Sequence, residues 1–398
     1  MLMVCELPYQ RNNNAISMNI LVLTPDAPSY KVSAGSKRLA HMIESLQRDH
    51  NVTCALVSAL RGEGVGNQCD LDVNLVQLPS VTAYAQHCAK HFYDVVIFEY
   101  WRTGHQLAWL CRMICPLSLL VVDCVDLEYL RLSRSAEYSK KHVTLTRQEE
   151  THLIEYCDAV ICVSAHEADI VKLEMSVQSD LVTTFSVIYD TVTLDRQPQR
   201  GLLLFVGNGA HAPNFDAMAW FCTEVMAHVH SAVRLRIVGA NWPDFLNAKN
   251  VAVIGFVDDL ASEYANCSYV VSPVRFGSGV NGKVAEAYCY GLPMIMSPLA
   301  ADGCGIKQAD GLTILSTENA FEWVQAIDRL IVCENYGTVA VSENVANQFS
   351  YAANADCLSE FTNRLKDLRV NKSRRWNFTI SYAVKFLVDH IRHLLRQK

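Results

Sequence analysis

The sequence lacks four features that would assign a function directly. It has no apolar run of the ~18 residues that a membrane-spanning helix needs. It contains no Cys-x-x-Cys pair, no Cys/His grouping with zinc spacing, and no Gly-x-Ser-x-Gly motif that would mark a nucleophilic serine. It also lacks an excess of basic charge, because 34 Lys and Arg stand against 41 Asp and Glu. A dedicated nucleic-acid binder is therefore excluded, and no nucleic-acid partner is expected.

Cysteine, by contrast, is abundant. The 15 cysteines are odd in number and scattered along the chain, and we recognise no signal peptide before them. This pattern indicates free thiols, mostly buried as small apolar side chains, rather than a disulfide framework. It predicts a reducing compartment, and hence a cytoplasmic location.

Apolar runs of strand length alternate with helical patterns along most of the chain. Of 398 residues, 51% are hydrophobic, which excludes disorder of the whole chain and favours two or three domains at ~100–200 residues each. The run Ile20–Leu23 is typical of a fully buried strand, and the apolar residues from Leu39 to Leu46 have helical spacing. Buried strands that alternate with helices predict a parallel sheet covered on both faces. Residues 18–195 are therefore expected to form one Rossmann-like domain.

A polar linker with Pro198 and Gly201 precedes a second series of strands and helices. Residues 196–352 are expected to form a second Rossmann-like domain of similar size. The predicted fold class is thus α/β, with two doubly wound domains that face each other across a cleft. Ligands of such proteins bind at the carboxyl ends of the strands, between the domains.

The two ends of the chain differ from these domains. Residues 1–17 are expected to form a flexible arm, and residues 353–398 are expected to form helices that pack back on the first domain. Residues 361–398 contain ten Lys or Arg and two Asp. This basic tail is either a terminal helix with a solvated face, or a surface that touches anionic lipid at the inner face of a membrane.

The most informative stretch lies in the second domain. A turn with Gly277, Gly279 and Gly282 follows a predicted strand and leads into a helix predicted to begin near Val280. Glycines at such a turn let a ligand approach the backbone closely. The free amides and the positive end of the helix dipole suit an anion, above all a phosphate.

Two charged residues reinforce this interpretation. Lys283 lies in the first turn and adds a full positive charge, and Glu286 lies three residues on, on the same helix face. The pair fits a nucleoside diphosphate, with the lysine and the amides on phosphate and the carboxylate on ribose hydroxyls. The alternative is an ordinary strand–helix turn with an exposed Lys–Glu pair.

These residues belong to segments that resemble one known family. The segment GSGVNGKVAEAYCYGLPMIMSP resembles the glycine-rich loop, lysine and following helix of the retaining glycosyltransferases of the GT-B fold, family 4, the "glycosyl transferases group 1" type. LLLFVGNGAHAPNFDAMAWF resembles the start of their second domain. SAGSKRLAHMIESL and EYCDAVICVSAHEADI show a looser similarity in the first domain. The resemblance covers about residues 18–350.

The resemblance implies a donor site in the second domain. Many relatives carry Arg or Lys after the first strand of this domain, where this chain has Asn208, His211 and Asn214. Lys283 is left as the principal cation for the diphosphate. Glu286 matches the second glutamate of the family's Glu-x7-Glu pattern, and the first is missing. The residues expected to bind the donor are Gly207, Asn208, Asn214, Gly239, Gly255, Val257, Gly277, Ser278, Gly279, Val280, Asn281, Gly282, Lys283 and Glu286.

In the first domain, relatives often show His-Asp after a strand, where this chain has Val125 and Asp126. Asp126 or Asp123 would bond hydroxyls of the donor or acceptor, and a capping role in the loop is the alternative. The predicted catalytic residues are therefore Lys283, Glu286 and Asp126.

Three arginines of the first domain are further candidates. Arg38 follows a glycine and is expected either to face the cleft or to lie on the surface. Arg131 and Arg134 are expected to be exposed helix residues rather than ligands of an acceptor phosphate.

Together these features predict a glycosyltransferase that moves a sugar, with retention, from a nucleoside diphosphate donor to a glycan, lipid-linked or other acceptor. No cofactor is expected, and no metal is required, because the lysine and the amides neutralise the phosphates. Two alternatives stay open. One is a non-catalytic subunit that binds the nucleotide sugar, and the other is a nucleotide-sugar epimerase.

Overall fold

Two α/β domains, each built on one parallel sheet, make up the protein. A computed structural model describes residues 17–31, 33–57, 69–135, 139–246, 248–309, 311–332 and 339–374. The fold class predicted from the sequence is confirmed. The predicted arm, apart from residue 17, and the basic tail beyond residue 374 lie outside the described residues.

Among its described residues, the first domain contains seven strands and six α-helices. The strands are β1 (Asn19–Thr24), β2 (Asn51–Leu56), β3 (Asn74–Gln77), β4 (Val95–Glu99), β5 (Leu119–Cys124), β6 (Ala159–Cys162) and β7 (Val182–Thr184). The helices are α1 (Ala34–Gln47), α2 (Val81–Lys90), α3 (Trp101–Ile114), α4 (Glu128–Ser133), α5 (Lys140–Tyr156) and α6 (Ala165–Glu174). The sheet order is β3-β2-β1-β4-β5-β6-β7.

Burial on both faces explains the apolar runs of this sheet. Four consecutive residues of β1, Ile20–Leu23, are fully buried, because helices cover both sides. Helix α1 begins where Ser33 and Ser36 form a reciprocal capping box, which satisfies amides that have no partner inside the helix. Its residues Leu39, Met42 and Leu46 then lie in the core, as their helical spacing predicts.

The second domain contains six strands in the order β10-β9-β8-β11-β12-β13. These strands are β8 (Leu202–Val206), β9 (Arg234–Val238), β10 (Val251–Gly255), β11 (Tyr269–Ser272), β12 (Met294–Met296) and β13 (Leu312–Ile314). The helices are α7 (Ala212–Trp220, continued by π-helical residues Phe221–Met226), α8 (Leu260–Asn266), α9 (Gly282–Cys289), α10 (Pro298–Asp302), α11 (Ala320–Val332) and α12 (Glu343–Asn347).

The last described helix, α13 (Tyr351–Arg374), returns to the first domain. Leu358, Phe361 and Leu365 belong to the core cluster that includes β1 and α1. The side chain of Asn354 accepts a hydrogen bond from the amide of Ser186 at 2.6 Å. The helix thus joins the end of the chain to the first sheet.

Two further observations concern the described residues as a whole. The 13 cysteines among them are free thiols, and nine of these are buried, as the scattered pattern predicts. In the same part of the chain, no helix combines the length and the apolar character that crossing a bilayer requires.

Candidate functional site

The glycine-rich turn lies between β11 and α9, at the carboxyl edge of the second sheet. Helix α9 begins at Gly282, two residues later than the sequence suggested, and Asn281 precedes it as the N-cap residue. Gly279 adopts a φ of 72°, a left-handed conformation that favours glycine. No described residue accepts a hydrogen bond from the amides of Val280 or Gly282. The start of α9 therefore presents free donors together with the positive end of a helix dipole.

Lys283 is held at this helix start by neutral groups. Its Nζ atom lies 3.0 Å from Oδ1 of Asn214 and 3.3 Å from Oδ1 of Asn281, and it stands 4.8 Å from the centroid of the Phe205 ring. Within the described ranges, no carboxylate forms an ion pair with it. Burial lowers the pKa of Lys283 to about 8. An anion at this position would supply the missing countercharge and raise the pKa of Lys283 again.

The loops after β8 and β9 lie beside the lysine. The side chain of Asn214, which orients Lys283, donates through Nδ2 to the carbonyl of Asn208 at 3.0 Å. The side chain of Asn208 in turn accepts from the amide of Ala210 and from Asn241. These amide side chains fill positions where the resemblance leads one to expect cations, and they orient a single lysine instead.

Close backbone contact explains Gly207 and Gly239. The amide of Gly207 donates to the carbonyl of Val238, and that of Gly239 donates to the carbonyl of Gly255 at 2.8 Å. A side chain at Gly239 would collide with the carbonyl oxygen of Gly207. Gly207, Gly239 and Gly255 are thus brought together at the carboxyl ends of β8, β9 and β10.

An exposed aromatic residue follows this edge. Phe256 is 75% exposed, directly after Gly255 and before the half-buried Val257. A large exposed ring beside backbone groups suits stacking of a planar ligand. The expected role of Val257 at a nucleotide base stays a prediction.

Glu286 has a different environment from the one the helix spacing suggests. Its Oε2 accepts a hydrogen bond from the hydroxyl of Tyr264 at 2.9 Å, and it forms no ion pair with Lys283. Burial raises the pKa of the Glu286 carboxyl, which the Tyr264 hydrogen bond and the charge of Lys37 oppose. The alternative of an exposed Lys–Glu pair is therefore wrong, and the expected contact of Glu286 with ribose stays a prediction.

The glycine-rich turn also contacts the first domain. The hydroxyl of Ser278 donates to Oδ2 of Asp126 at 2.7 Å, and the amide of Gly279 donates to Oε1 of Glu167 at 2.8 Å. Arg134, exposed as expected, donates from Nη1 to the carbonyl of Gly277 at 2.8 Å. The carboxyl ends of β5 and β6 therefore meet the turn after β11, so the predicted cleft lies between the two sheets.

Asp126 stands at the centre of these contacts. Its Oδ2 also accepts from Nε of Arg131 at 3.1 Å, and Arg131 reaches Glu128 at 3.4 Å. His211 lies close to the same groups. Burial, and then the positive charges of Lys283 and Arg131, lower its pKa. Residues of both domains thus converge around the start of α9.

Arg38 and Asp123 form a buried ion pair. Both Nη atoms of Arg38 lie 2.8 Å from a carboxylate oxygen of Asp123, and Nε donates to the carbonyl of Phe185. Arg38 is 1% exposed and Asp123 is 0% exposed. The expectation that Arg38 faces the cleft or the surface is wrong, because a charge on the buried face of α1 needs a partner. Asp123 is occupied by this pair, which leaves Asp126 as the candidate for substrate hydroxyls.

Another buried carboxyl of the first domain, that of Glu99, makes its stability depend on pH. Glu99 accepts a hydrogen bond from Thr24, and burial raises its pKa from 4.5 to about 8. The unfolded chain therefore releases this proton at lower pH than the folded chain does. Stability should fall as pH rises from about 5 to about 8, by up to ~1.4 kcal/mol per pH unit from this group.

Glu99→Gln should remove this part of the pH dependence. We expect urea unfolding at pH 8.5 to show a variant at least as stable as the wild type, and at pH 5 to show no such gain. A wild type whose stability rises steadily across this range would contradict the assignment.

Two residues of the site, Glu167 and Tyr264, were not found from the sequence, and Arg134 was named there only as an exposed helix residue. Glu167 and Arg134 reach the second domain from the first, and Tyr264 holds Glu286. The pattern Ser164-x-x-Glu167 does indicate a helix start, and Ser164 does cap α6. No local pattern shows that the Glu167 carboxyl contacts another domain.

The residues that the structure describes contain no group of three or more His, Cys, Asp or Glu side chains arranged to hold a metal ion. The site residues that lie together are instead backbone amides, amide side chains, one lysine and carboxyls. Such a set suits an anionic ligand that also carries hydroxyl groups.

Known proteins were compared with this chain. The family "Glycosyl transferases group 1" matches residues 200–332, and no curated protein sequence matches the chain. Sucrose-phosphate synthase from Thermosynechococcus elongatus superposes with a TM-score of 0.68 at 14% identity, over 88% of this chain and 100% of that one. HepE of Anabaena, solved with UDP and glucose, superposes with a TM-score of 0.65 at 12% identity, over 87% of this chain and 100% of that one.

A third solved structure is the apo form of the lipopolysaccharide outer core galactosyltransferase WaaB. It superposes with a TM-score of 0.62 at 13% identity, over 87% of this chain and 99% of that one. At these identities the solved structures establish the fold, and the family match establishes the type of the second domain. The resemblance inferred from the sequence is thereby confirmed, apart from its assignment to family 4 and to retention. The chain has the GT-B fold, and its residues 200–332 match the group 1 glycosyltransferase family.

Proposed function

We propose that this protein transfers a sugar, with retention, from a nucleoside diphosphate donor to a hydroxyl of an acceptor held by the first domain. The observation that carries the proposal is the environment of Lys283, a half-buried ammonium without a carboxylate partner among the described residues, at a helix start with free amides. A diphosphate is the ligand that completes this arrangement. HepE, which shares the fold, has been solved with UDP-glucose.

The second domain would stabilise the leaving group. Cleavage of the bond between sugar and phosphate places charge on the departing diphosphate. Lys283 and the amides of Val280 and Gly282 would lie at the phosphate oxygens, where they stabilise that charge. Desolvation of the lysine strengthens its attraction for an anion in this site.

The first domain would place the acceptor. Asp126 lies at the carboxyl end of β5 and contacts the turn of the second domain through Ser278. Its carboxylate would bond a hydroxyl near the reacting carbon. Retention would follow a front-face route, in which the leaving phosphate takes the proton of the acceptor hydroxyl as that oxygen attacks the sugar. Contact between the domains would exclude water and limit hydrolysis.

A thermal-shift screen is the first test. Sugars carried by UDP, GDP, ADP and TDP are each added to the protein, and we expect one base to raise the melting temperature. A ligand at about 100 times its Kd contributes ~2.7 kcal/mol of stability, which such a screen detects. The absence of a shift with all four would contradict a donor site.

Product analysis then separates transfer from the alternatives. Incubation with the donor alone would yield an isomeric nucleotide sugar if the protein were an epimerase. A binding subunit would bind the donor and release no sugar to any acceptor. Transfer with retention predicts a glycosylated product with the same anomeric configuration as the donor. NMR of the product measures this configuration.

The acceptor class is the least constrained part of the proposal. Glycan and lipid-linked acceptors both fit a hydroxyl nucleophile held near Asp126. Peripheral contact of the basic tail with anionic membrane, in a cytoplasmic protein, would favour the lipid-linked class. Vesicle co-sedimentation of the full chain, with and without residues 375–398, tests this contact.

A further inference from the structure

Glu167 joins the two loops of the candidate site. Its Oε1 accepts from the amide of Gly279 at 2.8 Å and lies 3.4 Å from the amide of Leu127. Gly279 belongs to the glycine-rich turn of the second domain, and Leu127 follows the catalytic candidate Asp126. One carboxyl therefore contacts both the glycine-rich turn and the loop that carries Asp126.

This carboxyl is buried and incompletely paired. Glu167 is 2% exposed, and its Oε2 atom has no hydrogen-bond partner among the described residues. A buried polar atom of this kind costs free energy unless a ligand or a proton satisfies it. The backbone amide of Glu167 is held separately by the hydroxyl of Ser164 at 3.2 Å, which fixes the start of α6.

On balance, the surroundings of Glu167 disfavour its ionised form. Burial and then the negative charge of Asp126 raise its pKa to about 7, whereas the Gly279 and Leu127 amides and the charge of Arg134 lower it. The thiols of Cys124 and Cys162, at the ends of β5 and β6, also lie near it. The turn Gly277–Val280 adds amides and no charge.

We propose that Glu167 is a positioning residue that holds the glycine-rich turn through the Gly279 amide and takes up a proton when a donor diphosphate binds to the same turn. The inference rests on the proposed function, because the ligand is the donor defined there. A diphosphate brings negative charge next to the carboxylate, and like charges in a buried site favour the neutral acid. The proton comes from solvent and binds a carboxyl oxygen of Glu167, and no other bond changes.

Isothermal titration at pH 7.0 in two buffers of different ionisation enthalpy measures the protons taken up. The probe is the nucleotide sugar selected by the thermal-shift screen, whose diphosphate has no titrating proton near pH 7. Glu167 is about half protonated there in the free protein, so full protonation takes up about 0.5 proton per ligand. Lys283, about nine-tenths protonated at this pH, adds only ~0.1. His211 lies near Lys283 and would also bind a proton beside an anion, so all titrations are repeated with His211→Gln and the values below refer to that background.

Glu167→Gln should bind the donor with uptake reduced to ~0.1 proton. Glu150→Gln is the matched control, because Glu150 is also fully buried and accepts two backbone amides, from Glu128 and Tyr129, without touching the second domain. It should retain an uptake of about 0.6 proton, the sum of the Glu167 and Lys283 contributions. A second signature needs no change at Glu167: at pH 5.5 the His211→Gln protein should take up almost no proton, because Glu167 is already neutral.

Each outcome of these titrations either supports or overturns the role of Glu167. Donor binding without proton uptake in His211→Gln, or uptake that persists in Glu167→Gln, would overturn the role of Glu167 and leave the donor site intact. Absence of donor binding would refute the proposed function and this inference together. Should Glu167→Gln fail to fold, the comparison of pH 5.5 with pH 7.0 in His211→Gln decides.

Discussion

Replacing Lys283 by methionine should lower kcat/KM for the donor by about 10²-fold or more, while the protein stays folded. Methionine retains an apolar stem against Phe205 and removes only the charge. Loss of one electrostatic contact of this kind raises the barrier by roughly 3–4 kcal/mol. Steady-state kinetics with the selected donor, together with donor affinity from titration calorimetry, measures the effect.

Stability distinguishes this loss from damage to the fold. The depressed pKa of Lys283 means that its charge is held at a cost in the ligand-free protein. Lys283→Met should therefore melt at the same temperature as the wild type or higher. Lys249→Ala, which removes an exposed lysine at the opposite end of the sheet, should change neither property. Unchanged donor turnover in Lys283→Met would show that the diphosphate lies elsewhere.

Breaking the Arg38–Asp123 pair should give the largest loss of stability. Asp123→Ala leaves the guanidinium of Arg38 buried and without its partner. Removal of one member of a buried ion pair costs about 3–5 kcal/mol, because the remaining charge stays desolvated. Urea unfolding of the full chain, followed by a signal from the first domain, measures this change.

An exposed ion pair provides the control. Asp216→Ala breaks the contact of Arg275 with Asp216 in the second domain, where both side chains are partly exposed. We expect a change below ~1 kcal/mol there. Equal losses in the two variants would mean that the Arg38–Asp123 pair contributes no more than a surface contact does.

The fold was predictable from local patterns. Apolar runs such as Ile20–Leu23 mark strands because parallel sheets are buried on both faces, and the glycine turn at Gly277 marks the passage from β11 to α9. The first residue of a helix is harder to predict. Asn281 was expected inside α9 and instead precedes it as the N-cap residue. Propensity alone does not distinguish a capping residue from the first helical one.

The contacts that complete the site were not predictable in the same way. Arg38 and Asp123 are 85 residues apart, and Glu167 and Gly279 are 112 residues apart. A charged residue in a helix looks the same in sequence whether its side chain enters solvent or another domain. Only the arrangement of the two sheets shows that Glu167 belongs to the site.

A structure of the protein with its nucleotide sugar tests the account most directly. Phosphate oxygens should lie within ~2.7–3.2 Å of Nζ of Lys283 and of the amides at the start of α9. The base should lie toward Gly255 and Phe256. A diphosphate bound at any other position, with Lys283 still held by Asn214 and Asn281 alone, would contradict it.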